Sequence, residues 1–379
     1  MEHTIGIVLA GVHDWDESGL ERMGPRPLLP VLREPLICGA LHWLRQAGLR
    51  RVVICANSGS RAVRRAIGDG RALGLDVEYY EDWTPRGPAG CVRDAALAVG
   101  AERVLVAEGT AWPDGDPRPL LAAHVESGVS LTVAATEDRA ATLDGATVLA
   151  PVGSYVVEWT VLEYVPATGY QDFKEVLLPR LHERGVATMA YRVARPGPRP
   201  TDLDRYRALN AWVLGRRLRA APAPGYRRVG ACEIHETAEV ADTARLLGPV
   251  LIGPRTRIGA EALVVGPTVL GDGGTVEAGA VICESVLWND CGVGARALVE
   301  ACVLGHGAAV GRGDHMHGTV IVPGPKTAPG MSAGAQGAWR RMWRRGREVV
   351  GGRPAASRRP ATAGARASSQ AGVVSAPSA

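Results

Sequence analysis

From Thr4 to about Leu218, short apolar runs alternate with amphipathic ones. TIGIVLA, RVVICA, ERVLVA and VSLTVAAT are continuous apolar runs of strand length, followed later by GSYVVEW and VATMAYRVA. Between them, PLICGALHWLRQA, CVRDAALAV, PLLAAHVES and the region around DFKEVLLPRLHER space their apolar residues as helices do. The first of these opens on Pro35 and stops at Gly48, and the third is closed by Gly128. RALGLDVEYYE holds a further strand, and DLDRYRALNAWVLGRRL ends the region as a helix. This alternation predicts an α/β domain over residues 1–222, Rossmann-like, with a mostly parallel sheet covered by helices on both faces. Ligands bind such sheets outside the carboxyl ends of the strands. The stretch LAGVHDWDESGLERMGPRPLLPV lies at that place, directly after the first strand.

After APAPG the period changes. Ile234, Val240, Leu246, Ile252, Ile258, Val264, Leu270, Val276 and Ile282 follow one another every six residues. Neither the helical nor the strand period produces that spacing. A hexapeptide repeat does, with one aliphatic side chain per short strand pointing into a parallel β-helix, expected over 226–322. Trp288 interrupts the register, and Val293, Val299 and Val310 continue it with a shift.

From Gly324 to the end the pattern is lost. Residues 324–379 form a basic, low-complexity segment of Ala, Ser, Arg and Pro, expected to be disordered. Within it AWRRMWRRGREVV (338–350) sets Trp339, Trp343 and Val350 on one helical face and arginines on the other, a pattern that suits an anionic membrane surface or an acidic partner. A basic, partly helical disordered arm is the favoured explanation.

Charge refines this division. The net charge is +4, but residues 331–379 carry nine Arg against one Glu, which leaves the first 330 residues at −4. The folded part thus has no electrostatic footprint for nucleic acid. The seven cysteines (38, 55, 91, 232, 283, 291 and 302) stand in apolar contexts without paired spacing, as buried thiols do in a reducing compartment. With no apolar run of membrane-spanning length and no basic leader, a cytoplasmic location is expected.

The stretches IGIVLAG, PRPLLPVLREPLI, LRQAGLRRVVI, GDGRALGLDVEYYED, RGPAGCVRDAA, ERVLVAEGT, GSYVVEWTVLEYV, KEVLLPRL and DLDRYRALN occur in the order found in one enzyme family. The chain resembles the sugar-1-phosphate nucleotidyltransferases, or nucleotide-sugar pyrophosphorylases, of the mannose-1-phosphate guanylyltransferase type, over about residues 4–322. The resemblance implies the α/β nucleotidyltransferase fold with a C-terminal left-handed β-helix. It also implies Mg²⁺-assisted attack of a sugar phosphate on a nucleoside triphosphate, with pyrophosphate leaving. It maps the nucleotide site onto Gly11, Gly87, Ala89 and Gly90, and the sugar-phosphate site onto Lys174 and Gly153. The catalytic lysine of the family becomes Arg26.

The departures fall on the chemistry. The family's phosphate loop, G-G-x-G-T-R-L-x-P-L-T, keeps only Gly11, and His13, Asp14, Trp15 and Asp16 stand where donors to phosphate are needed. The metal-binding Asp after the fourth strand aligns with Thr110 of Glu108-Gly109-Thr110. The second, in a turn before the last helix, aligns with GPRPTD. Glu108 and Asp202 are the substitute candidates for Mg²⁺, with Asp114 a further acid nearby. Each singled-out residue also has a plain structural explanation: a surface arginine, a solvent-facing lysine, an ordinary glycine turn, solvated acids.

Three functions stay open. The first is a member of nucleotide-sugar metabolism with impaired catalysis, a pseudoenzyme acting as a binding or regulatory subunit and assembling as a homo- or hetero-oligomer through its β-helix. The second is a working sugar-1-phosphate nucleotidyltransferase with rearranged ligands. The third is a β-helix acyltransferase using one of His306, His315 and His317 as a base.

Overall fold

The apolar runs of the first region become the strands of one seven-stranded sheet. They are β1 (Thr4–Leu9), β2 (Arg51–Ala56), β3 (Asp76–Glu81), β4 (Arg103–Glu108), β5 (Leu131–Leu143), β6 (Ala146–Glu158) and β7 (Thr188–Arg192). Their order is β3-β2-β1-β4-β6-β5-β7. The first four are parallel, β6 runs antiparallel to both neighbours, and β7 is parallel to β5. The structure, a computed structural model, describes residues 4–11, 19–57, 60–82, 84–143, 146–193 and 196–323. Residues 12–18, the tail from 324 and its Trp339–Val350 stretch lie outside the described residues.

Helices α1 (Ile37–Gln46), α2 (Ser60–Ile67) and α4 (Arg118–Ser127) cover one face of the sheet. Helix α3 (Gly87–Val99) and α5 (Leu178–Glu183) cover the other. Burial on both faces explains why β1, β2 and β4 read as unbroken apolar runs rather than alternating ones. The sequence pattern missed α2 because SRAVRRAI offers the core little beyond Val63 and Ile67. The last helix of the domain is α6 (Leu203–Arg217).

Beyond Gly225 the chain winds as a parallel β-helix with three sheets, so the hexapeptide expectation holds. Each early coil takes eighteen residues, with Ile234 beside Ile252 and Ile252 beside Leu270. Later coils take seventeen: Leu270 stands beside Leu287, Leu287 beside Leu304 and Leu304 beside Ile321. The interruption at Trp288 is therefore a corner shortened by one residue, between Cys283 and Val286. The inward side chain there is Leu287, in the β-helix core, while Trp288 faces the other way.

One sheet of the β-helix is apolar on both sides. Outside it, Leu251, Val269, Val286, Trp288 and Val303 bury themselves against Tyr206 and Leu214 of α6 and against Leu20 and Leu29, which precede α1. Tyr206 is fully buried at the centre. Its hydroxyl donates to the carbonyl of Pro30 and accepts from Trp288 Nε1 at 3.0 Å. Asn210, one turn on, accepts from Leu32 N at 2.8 Å. Arg33 reaches across to Asp272 at 2.8 and 2.9 Å. The segment Leu20–Arg33 is thus held jointly by α6 and the β-helix, and the described residues form one compact unit.

Tyr206→Phe keeps the ring but strands a buried carbonyl and a buried indole N–H. The expected loss of stability is about 1–3 kcal/mol, read as a lower denaturation midpoint at unchanged slope.

Candidate functional site

β1 leads to β2 on one side, while β3 crosses over to β4 on the other. The topology therefore reverses between β1 and β4, the place where an open α/β sheet leaves a crevice. Leu9 pairs with Glu108 there, and Gly109 N donates to Leu9 O at 2.8 Å. Gly11 is half-buried at the mouth of the crevice, with Asn57 alongside. Asp14 and Asp16 fall among residues 12–18, outside the described residues. The chain returns at Gly19, and Leu20 is buried against the β-helix. Arg26 opens a single 3-10 turn, Arg26–Leu28, and is half-buried.

Two of the candidate residues meet. Glu108 at the end of β4 lies directly over Gly153 of β6, and its carboxylate is engaged by Arg199. Arg199 Nη1 is 2.7 Å from Glu108 Oε2. Gly153 has φ +83°, and a Cβ there would stand 2.5 Å from Glu108 Oε1 and 2.6 Å from Arg199 Nη2. Gly153 is thus required by the ion pair above it as well as by its backbone.

Asp202 serves elsewhere. It is the N-cap of α6, accepting from Arg205 N at 2.7 Å, with its other oxygen 3.3 Å from Thr201 Oγ1. Among the described residues the candidates do not fit Mg²⁺. The Glu108 carboxylate already has a guanidinium counter-ion, Asp202 caps the start of a helix, and Thr110 is a neutral hydroxyl. Among the described residues no three His, Cys, Asp or Glu side chains are grouped to hold a metal.

The G-x-A-G turn takes the expected shape for a different reason. Gly87 has φ +72°, and a Cβ on it would lie 2.5 Å from the carbonyl oxygen of Gln171. Ala89 N donates to that same oxygen at 3.0 Å, and Gln171 N donates to Arg86 O at 2.7 Å. Arg86, which the sequence pattern did not single out, is buried. It binds Asp94 at 2.9 Å and the carbonyls of Gly169 and Pro166 at 2.7 Å each. Gly90 is buried against the Arg86 side chain. This clamp sets the following turn, Phe173–Leu177, whose amides Lys174 N and Glu175 N are capped by Asp172. Lys174 itself is exposed.

A cavity of about 330 Å³ opens beside Glu108, Gly153 and Arg199. Trp43, Trp112 and Tyr191 line it, together with Asp114 and Asp116. Both acids are already paired, Asp114 with Arg216 and Asp116 with Arg118. Of the β-helix histidines, His315 and His317 are exposed, and His317 Nδ1 lies 3.1 Å from Glu300 Oε2. His306 stacks obliquely against Trp288, and burial lowers its pKa.

With this geometry in place, similarity to known proteins becomes informative. A family model described as nucleotidyl transferase matches residues 18–183. Another, described as the GMPPB C-terminal domain, matches residues 228–328. The chain is 27% identical over 299 residues to a mannose-1-phosphate guanylyltransferase of Mycobacterium tuberculosis, covering 73% of this chain and 82% of the relative. It is 24% identical over 326 residues to a UTP–glucose-1-phosphate uridylyltransferase of Synechocystis, covering 74% and 82%. Over 95 residues it is 36% identical to an N-acetylmuramate alpha-1-phosphate uridylyltransferase of Neisseria meningitidis, covering 24% and 40%.

Gly87→Ala is expected to cost more than about 1 kcal/mol, because both the positive φ and the Gln171 backbone oppose a Cβ. Gly115→Ala, also at positive φ but with nothing within 4 Å, is the matched control. Equal losses in chemical denaturation would show that the Gln171 contact contributes nothing.

Proposed function

The chain belongs to the sugar-1-phosphate nucleotidyltransferase family, and from that premise we propose that it binds a nucleotide or sugar phosphate while having lost metal-assisted transfer. It acts as a binding or regulatory subunit in nucleotide-sugar metabolism. The observation that carries this reading is the Glu108–Arg199 ion pair, which engages the one acid at the end of β4.

The reaction places negative charge on a leaving pyrophosphate, and a bound Mg²⁺ neutralises it with several kcal/mol of stabilisation. Without ligands for that ion, and with acids in the phosphate loop, the transition state has little to hold it. A second reading, an active transferase, is favoured by relatives named as transferases that align over nearly three-quarters of the chain. In it Arg26 meets phosphate and Lys174 the sugar phosphate.

Pyrophosphate release separates the two. The chain is incubated with Mg²⁺, each of the four common nucleoside triphosphates, and mannose, glucose or N-acetylmuramate 1-phosphate. The expected rate is at least about a thousandfold below an ordinary enzyme turnover of ~10 s⁻¹. Turnover near that value, abolished by Arg26→Ala, would establish the active reading instead.

A further inference from the structure

Resting on the reading that the metal ligands are gone, we propose that the Arg199 guanidinium is a tethered cation standing in for the metal. The cavity beside it then receives the phosphate of a sugar phosphate without any divalent ion.

The position of Arg199 is the first argument. It comes from the GPRPTD loop before α6 and reaches the end of β4, so it joins the two segments onto which the metal carboxylates map. It lies over Gly153, on the floor of the crevice.

Its atoms are the second. Nη1 is committed to Glu108, but Nη2 is buried with no hydrogen-bond partner among the described residues. Trp43 lines the same cavity, is only 7% exposed, and has a buried Nε1 with no partner there either. A buried donor left without a partner is costly. Neither donor has surface open to the cavity as it stands, so a ligand first meets the open part of the Arg199 side chain, which is 40% exposed, and a guanidinium fork suits phosphate in particular.

The remaining walls favour a sugar attached to that phosphate. Trp112 and Tyr191 provide flat apolar surface, and Asp114 and Asp116 provide oxygens for hydroxyl groups. Because Arg216 and Arg118 already balance those acids, they do not repel the anion as free carboxylates would.

Glu108 then has a definite sign of effect. As a counter-ion it competes with the ligand phosphate for Arg199. Removing its charge strengthens anion binding here, whereas removing a metal ligand would weaken it.

The test is calorimetric titration of the full chain with mannose 1-phosphate, glucose 1-phosphate and inorganic phosphate, each in EDTA and in Mg²⁺. At least one sugar phosphate is expected to bind with the same Kd in both buffers, and more tightly than inorganic phosphate. Arg199→Met should weaken it about tenfold or more, and Trp43→Phe a few-fold, in line with loss of a charged and a neutral donor. Glu108→Gln should tighten it several-fold in EDTA, a gain that misfolding cannot imitate. Arg199→Lys, keeping the charge, should retain part of the affinity.

The proposal is overturned if Mg²⁺ tightens wild-type binding about tenfold, a step of roughly 1.4 kcal/mol. It is also overturned if Glu108→Gln weakens binding, if inorganic phosphate binds as well as the sugar phosphates, or if no probe binds. Mg²⁺-dependent binding without turnover sinks this inference alone. Turnover with Mg²⁺ sinks the reading beneath it.

Discussion

A carboxylate at the edge of a sheet can neutralise one cation well, and at the end of β4 that cation is Arg199. The pairing of Glu108 with Arg199 governs what the crevice can do. It fixes Gly153 beneath, since no larger residue fits under the two side chains. It also engages Glu108, one of the acids that the sequence offered for Mg²⁺, while leaving one arm of the guanidinium buried and without a partner among the described residues. Catalysis by charge neutralisation relies on a preorganised cation where negative charge develops on the leaving group, and a guanidinium whose charge is shared with Glu108 supplies less of that than a free metal ion.

Helix α6 connects this site to the rest of the molecule. Asp202 caps its first turn, just after Arg199. Tyr206 and Asn210 in its middle hold Pro30 and Leu32, the segment that follows the phosphate loop. Arg217 at its end binds the fully buried Glu233 of the β-helix, where Arg228 is a second partner at 2.9 Å. These hydrogen bonds hold the carboxylate below its usual pKa against the opposing pull of burial. The β-helix therefore does more than extend the chain. Its outward ladder of Leu251, Val269, Val286 and Val303 forms the wall against which α6 and Leu20 are packed.

Much of this architecture was legible in the sequence because it is repetitive or continuous. A β-helix demands an aliphatic residue at every sixth position, and doubly covered strands demand unbroken apolar runs. What was not legible depends on single events. The corner shortens by one residue at Cys283–Val286 and stays short at Glu300–Val303 and His317–Val320, which takes the coil from eighteen residues to seventeen and made Trp288 look like a fault rather than an interface residue. Helix α2 does have an apolar face, but Val63 and Ile67 are all of it in eight residues, too short a signal to stand out from its arginines. In the site, Glu108 and Gly153 entered as separate candidates, one for the metal and one for the sugar phosphate, and the structure sets them in contact. Arg199 was passed over because it stands between two prolines in a loop without periodicity, and its partner is far away in sequence. The loss of acids at Thr110 and in GPRPTD, together with a gained arginine in that loop, was the available signal. Gly87 drew attention as a base-packing glycine, whereas the backbone of Gln171 determines it. A contact between segments so distant leaves no local mark.

The most direct measurement is a crystal structure of the full chain soaked with Mn²⁺ and a sugar nucleotide, using anomalous scattering to locate the metal. The account predicts phosphate oxygens on the Arg199 guanidinium and no anomalous peak within coordination distance of Glu108. A Mn²⁺ ion bound by Glu108 or Asp202, with Arg199 swung away, would contradict it.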